Sequence, residues 1–175
     1  MILSKLREGV SLELDPAARD SIRVLKAIDF ELAYLALLTL QGLKPMSRWE
    51  KPMDEPGLEA LKQLGLHPQP IRRTVRMGTA FEETIFGLAR GYLQAYANHF
   101  ANQPVDKSAE TVRIEGFLFG YPPCCVAQYV KQHYAPNEFP THKQETLFHW
   151  ACKGCQITPL LVPAYEEVRR LVDGC

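Results

Sequence analysis

Four of the five cysteines fall between positions 124 and 155, in two pairs. The first pair closes Gly120-Tyr121-Pro122-Pro123-Cys124-Cys125. The second is the Cys-x-x-Cys of His149-Trp150-Ala151-Cys152-Lys153-Gly154-Cys155. Thiolate and imidazole donors suit zinc or iron and disfavour magnesium or calcium. Cys124 or Cys125 with His149, Cys152 and Cys155 makes a Cys₃His set, a closed zinc site. All four sulfurs make the donor set of an Fe–S cluster. Three sulfurs and a labile fourth position would leave room for catalysis. His133 and His142 are reserve ligands, read first as surface residues. Without a metal, the same thiols could exchange a disulfide, with Cys124 or Cys125 attacking and Cys152 or Cys155 resolving. A third reading is a helical interaction module whose cysteines only pack. The leading expectation is metal binding, with zinc ahead of an Fe–S cluster. No substrate or reaction follows from these residues, and Cys175 lies outside the set.

The elements that must position these donors are partly readable. Pro122-Pro123 stops one helix and can start the next, because proline is tolerated in the first helical turn. Cys124 and Cys125 then sit at a helix start, where the dipole and free N–H groups favour thiolate. That helix should run to about Tyr134. In one ideal helix His149 and Cys155 would stand ~9 Å apart along the axis, at ~1.5 Å per residue. Convergence on one ion therefore requires regular helix to break near Gly154, with Cys152 to Cys155 folded into a knuckle.

Gly120-Tyr121-Pro122-Pro123-Cys124-Cys125, with the segment His149 to Cys155, resembles a prokaryotic, largely archaeal domain-of-unknown-function family. Its members carry Gly-Tyr-Pro-x-Cys-Cys and a later His-x-x-Cys-x-x-Cys segment. The resemblance covers about the last third of the chain. It implies a shared site at these residues and brings no activity with it. Cys124-Cys125 and Cys152-x-x-Cys155 are also similar in order to the cysteine-rich module of heterodisulfide reductases, which would imply an Fe–S cluster. The interval is shorter here, and the first 123 residues hold no cysteine. Trp150 departs from the thioredoxin pattern, because Ala151 intervenes and no βαβ pattern surrounds it.

Upstream, Asp15-Pro16 reads as an N-cap followed by proline at the first helical position. Asp29 can cap a second helix, or the first can continue through it. Phe30 to Leu40 is apolar on nearly all sides, which predicts the central buried helix. Residues 44–57 read as a surface connection, and Pro56 to Gly65 as a short helix capped by Asp54 or Glu55. Ile71 to Met77 and Phe81 to Phe86 can pair as a hairpin about Gly78-Thr79, with a helix from Thr79 as competitor. Arg72, Arg73 and Arg76 are assigned to a solvated edge-strand face, and Glu82-Glu83 and Glu166-Glu167 to solvated faces. Leu88 to Ala101 reads as a helix with His99 at its exposed end, and Asp106 or Ser108 opens another that stops at Gly120. A final helix spans Pro163 to Val172, with Tyr165, Val168 and Val172 inward and Glu166 paired to Arg170.

The 175 residues carry 20 basic and 20 acidic side chains. That balance gives no strong nucleic-acid signal, and the longest apolar run is far short of the ~20 residues of a membrane span. Met1 to Glu8 lacks the features of a signal peptide. The expected location is the cytoplasm, where paired cysteines point to metal or redox chemistry. The expected fold is mainly α, α+β at most: one compact multi-helix domain over 1–175 with at most a small β-hairpin around 71–86. Its parts are an N-terminal helical part (1–43), the connection (44–57), a middle helical and hairpin part (58–119), and a Cys/His-containing C-terminal part (120–175).

Overall fold

The computed structural model describes residues 14–75 and 78–175. The amphipathic start and Arg76 lie outside the described residues. Helix α1 (Pro16–Ile28) begins as its sequence dictates: Asp15 accepts the Ala18 N–H at 2.8 Å and Pro16 opens the first turn. Asp29 ends α1 and caps α2 (Phe30–Leu40) by accepting the Glu31 N–H at 2.9 Å. Every residue of α2 from Leu32 to Thr39 is buried, as its all-round apolarity requires.

The chain then departs from the expected surface connection. Met46–Trp49 forms strand β1, and Lys44, Met46, Ser47 and Trp49 are buried. Prolines and charges flank this stretch. Its core-facing residues are too few to show a period in the sequence. After α3 (Glu55–Gln63), capped by Asp54, come β2 (His67–Thr74) and β3 (Ala80–Gly87). The hairpin therefore forms, starts four residues earlier than expected, and gains β1 as a third strand. The sheet order is β1-β3-β2, antiparallel throughout, so the fold is α+β.

Two prolines, Pro68 and Pro70, lie within β2. β2 is an edge strand. Thr74 directs its N–H to Gln103 O and its carbonyl to Val105 N–H, and Arg72 O accepts from Asn102 N–H. The two-residue period puts Pro68 and Pro70 on that same outer edge, where a missing donor breaks no ladder bond to β3.

β3 divides two cores. Phe86 joins the core of α1, α2, α3 and the last helix. Ile85 joins a second core with Leu93, Tyr96 and Phe100 of α4 (Arg90–Phe100) and Leu118 of α5 (Ala109–Leu118). On that second face the sheet also carries charge. Arg73 and Glu83 are each 1% exposed, which overturns their assignment to solvated faces. Arg73 Nη1 lies 3.8 Å from Glu83 Oε1 and 3.5 Å from Glu115 Oε1. The Tyr96 hydroxyl donates to Glu83 at 2.6 Å, and Arg48 Nη1 donates to Glu115 at 2.5 Å. Glu83 on the neighbouring strand and Glu115 on α5 supply the counter-charges, and no local pattern announces them. Glu82, beside Glu83, is exposed as expected.

The C-terminal part is less helical than expected. α6 (Pro123–Lys131) stops short of Tyr134, which takes a positive φ of 55°. A four-residue helix α7 (Thr141–Gln144) follows. The last helix, α8 (Thr158–Asp173), starts at Thr158 and contains Pro163 in its interior. The N–H missing at Pro163 would have served the carbonyl of Pro159, in the first turn, so the disruption stays near the helix start. Tyr165, Val168 and Val172 are buried, as expected. Arg170 pairs with Glu167 rather than Glu166. Among the described residues no helix is long and apolar enough to cross a membrane.

Gly116 sets how closely α5 and α6 approach. A Cβ there would fall 2.5 Å from Val126 Cγ2. Gly116→Ala is therefore expected to destabilise the chain by ~1–3 kcal/mol, the usual cost of overpacking. Urea denaturation with an unchanged m-value would check it; an unaltered midpoint would show that the helices can part freely.

Candidate metal centre

Two short elements bring the sulfurs together. Pro123 opens α6, which places Cys124 and Cys125 in its first turn, Cys124 exposed and Cys125 buried. The second pair lies in non-helical chain. Cys155 N–H bonds Cys152 O at 3.2 Å and Gly154 takes φ 68°, so Cys152 to Cys155 forms the expected knuckle. A non-glycine residue at 154 would meet no steric neighbour, so its only penalty is backbone strain.

Cys124, Cys125, Cys152 and Cys155 are free thiols whose sulfurs all lie within 4.8 Å of one another. The Cys125 and Cys155 sulfurs are 3.5 Å apart, and those of Cys124 and Cys155 are 3.7 Å apart. The cluster is compatible with a metal site. His149 stands outside this four-sulfur group. Its Nε2 lies 3.0 Å from Thr158 Oγ1, and that hydroxyl lies 3.2 Å from Cys155 Sγ and 3.5 Å from Cys125 Sγ. The imidazole thus reaches the sulfurs through one threonine. His133 and His142 are exposed, and Cys175 packs at the edge of the first core.

Backbone donors also face the sulfurs. Cys152 N–H donates to Cys125 Sγ at 3.4 Å, and Thr158 N–H, in the first turn of α8, donates to Cys155 Sγ at 3.3 Å. Two helix starts, α6 and α8, therefore meet at the cluster, and their positive ends stabilise negative charge there.

The acid thiol is not where the helix-start expectation put it. Burial pushes the Cys125 thiol up to about 11, despite its contacts with Thr158 and Cys152 N–H. Burial also raises Cys155, but the Thr158 hydroxyl and N–H and the Ile157 N–H outweigh it and bring that thiol down to about 6. Cys152 is raised, first by burial and then by its neighbouring thiols. Burial and the Lys44 ammonium lower His149 to about 4, so the imidazole is neutral near pH 7.

The loop that carries the second pair is pinned by side chains. Asn137 Nδ2 donates to Ala151 O at 2.8 Å, and Gln144 Oε1 accepts the Ala151 N–H at 3.1 Å. Gln144 Nε2 donates to His149 O at 2.7 Å, and the Trp150 indole donates to Ala135 O at 2.7 Å. Tyr34 of α2 adds a bond to Thr146 O at 2.9 Å. Sequence reasoning missed Asn137, Gln144 and Thr158. Thr158 alone carried a signal, as a hydroxyl three residues past Cys155 at a Thr-Pro helix start.

A cavity of about 390 Å³ adjoins the cluster, with Cys125, Tyr121, Tyr129, Phe148, His149 and Trp150 among its walls. His149 is 8% exposed, and its Nδ1 is buried without a hydrogen-bond partner.

No family model matches this chain, and neither a curated protein nor a solved structure matches it.

Proposed function

We propose that the chain binds a single zinc ion through Cys124, Cys125, Cys152 and Cys155, and that the ion has a structural role. The supporting observation is the sulfur spacing. A tetrahedral ion with ~2.3 Å zinc–sulfur bonds separates its ligands by ~3.8 Å. The Cys125–Cys155 and Cys124–Cys155 separations, 3.5 and 3.7 Å, are close to that edge. A multi-iron cluster binds its thiolates to different irons across the cluster body, which calls for a wider spread of sulfurs. Four sulfurs also leave no open position, which favours a structural ion over a catalytic one. His149 and Thr158 serve as outer-shell partners that orient the sulfurs. A reducing cytoplasm would keep these thiols available. Within this reading, the family that the signatures resemble would share the four-sulfur site.

Elemental analysis of anaerobically purified protein tests it. One zinc per chain and a colourless solution are expected, and cobalt substitution should give the visible bands of a tetrahedral thiolate site. Visible iron–sulfur absorption would replace zinc by a cluster. A metal-free protein with a reducible disulfide among the four cysteines would replace both by thiol exchange. A metal-free protein with four free thiols would leave them as packing residues.

A further inference from the structure

Lys44 is a buried cation. It lies four residues past the end of α2 and is 2% exposed. Its ammonium sits among three rings, 4.6 Å from the centroid of Tyr121, 5.4 Å from Phe148 and 5.5 Å from Phe119. It donates to Phe119 O at 3.1 Å. An ammonium has three donors, so two remain for another acceptor. Among the described residues no carboxylate pairs with it. Arg48 is already held by Glu50 at 2.6 Å, and Lys51 by Asp29 at 2.6 Å. A buried cation without an anion is costly, so a chain that keeps one has a use for it.

Lys44 lines a cavity of about 240 Å³. Trp49 lines the same cavity, is 4% exposed, and leaves its buried Nε1–H without a partner. The two unused donor groups therefore come from separate residues, and both want an acceptor. Leu35, Phe119, Tyr121 and Phe148 supply apolar and aromatic wall. The charged lining is three cations, Lys44, Arg48 and Lys51, against two carboxylates, Glu31 and Glu50.

We propose that this cavity is a binding site for a small organic monocarboxylate, whose carboxylate takes the free donors of Lys44 and Trp49 while its apolar body lies on the aromatic wall. Arg48 and Lys51 already have carboxylate partners, so Lys44 is the cation of this lining left to meet a single carboxylate. A phosphate group carries ~1.5–2 negative charges near neutral pH and would meet Glu31 and Glu50 at the rim. The depressed basicity of Lys44, brought down to about 7 by burial and then by Arg48, agrees with an ammonium that lacks a counter-ion. The site is separate from the sulfur cluster. Tyr121 and Phe148 line both this cavity and the larger one beside Cys125, so they form a shared wall.

The probe is sodium benzoate, titrated into the 175-residue protein as purified and followed by the indole N–H resonances of the two tryptophans. The Trp49 signal should move saturably. The Trp150 signal, already bonded to Ala135 O, should stay. Lys44→Met should weaken benzoate by about tenfold or more, and Trp49→Phe, which removes one donor to a charged group, by about tenfold. Trp49→Phe is read by ligand-observed NMR and guards against a repacked Lys44→Met cavity. No shift of the Trp49 signal at millimolar benzoate would overturn the proposal. So would wild-type affinity in both variants, or tighter binding of inorganic phosphate than of benzoate.

Discussion

Arg73→Met is expected to cost about 3–5 kcal/mol of folding stability, the usual consequence of breaking a buried ion pair from one side. Arg73 and Glu83 are each 1% exposed, on adjacent strands of the sheet. The guanidinium reaches the Tyr96 hydroxyl at 3.2 Å and Pro104 O at 3.3 Å, and it stacks over Phe100 at 4.9 Å. Without it, Glu83 keeps the Tyr96 hydroxyl and an Arg48 Nε 3.8 Å away. Burial already raises the Glu83 carboxyl, so losing a cation pushes it further toward the neutral form. Glu83→Gln added to Arg73→Met should recover part of the loss, because the stranded charge goes with it. Urea denaturation of the two variants decides the matter. A loss below about 1 kcal/mol for Arg73→Met would mean that Arg48 alone satisfies this face.

Stripping the proposed zinc should have the second large effect. If the free ion exceeds its dissociation constant a thousandfold, binding contributes about 4 kcal/mol to the folded state. For a chain of this length that is on the order of 10 °C in Tm. The loss should concentrate in residues 120–158, because few regular elements hold that region. Its loop relies on Asn137, Gln144 and the knuckle. Cys155→Ser should release the metal and reproduce the chelated Tm, while Cys175→Ser should retain it, since Cys175 lies outside the cluster. Thermal melts with and without chelator, and hydrogen exchange across 120–158, measure both. If chelation leaves Tm and exchange unchanged while zinc is lost, the ion is not a structural one.

Much of the helical frame is legible in the chain because its causes are local. Asp15-Pro16, Asp29, Asp54 and Ser108 cap helices that start where those residues stand. Phe30 to Leu40 declares its burial by being apolar all round. The sheet is less legible. Met46-Ser47-Arg48-Trp49 is four residues long and mixed in polarity, and it becomes a strand only because β3 offers it an edge. Arg73 and Glu83 read as solvent-facing because their partners, Tyr96 and Glu115, are distant in sequence.

The cysteines divide in the same way. Donor identity, the proline start of α6 and the Gly154 turn are properties of short segments, and the sequence by itself determined them. Whether Cys124 and Cys125 meet Cys152 and Cys155 depends on the path of the 26 residues between the pairs, which include most of α6 and all of α7, and only the tertiary structure decided it. It also moved the acidic thiol to Cys155, because burial outweighs the helix start at Cys125 while Thr158 supplies donors at Cys155. Its spacing to the cysteines makes His149 a candidate ligand. The fold turns its Nε2 to Thr158 instead, since chain distance does not carry side-chain direction once regular helix ends.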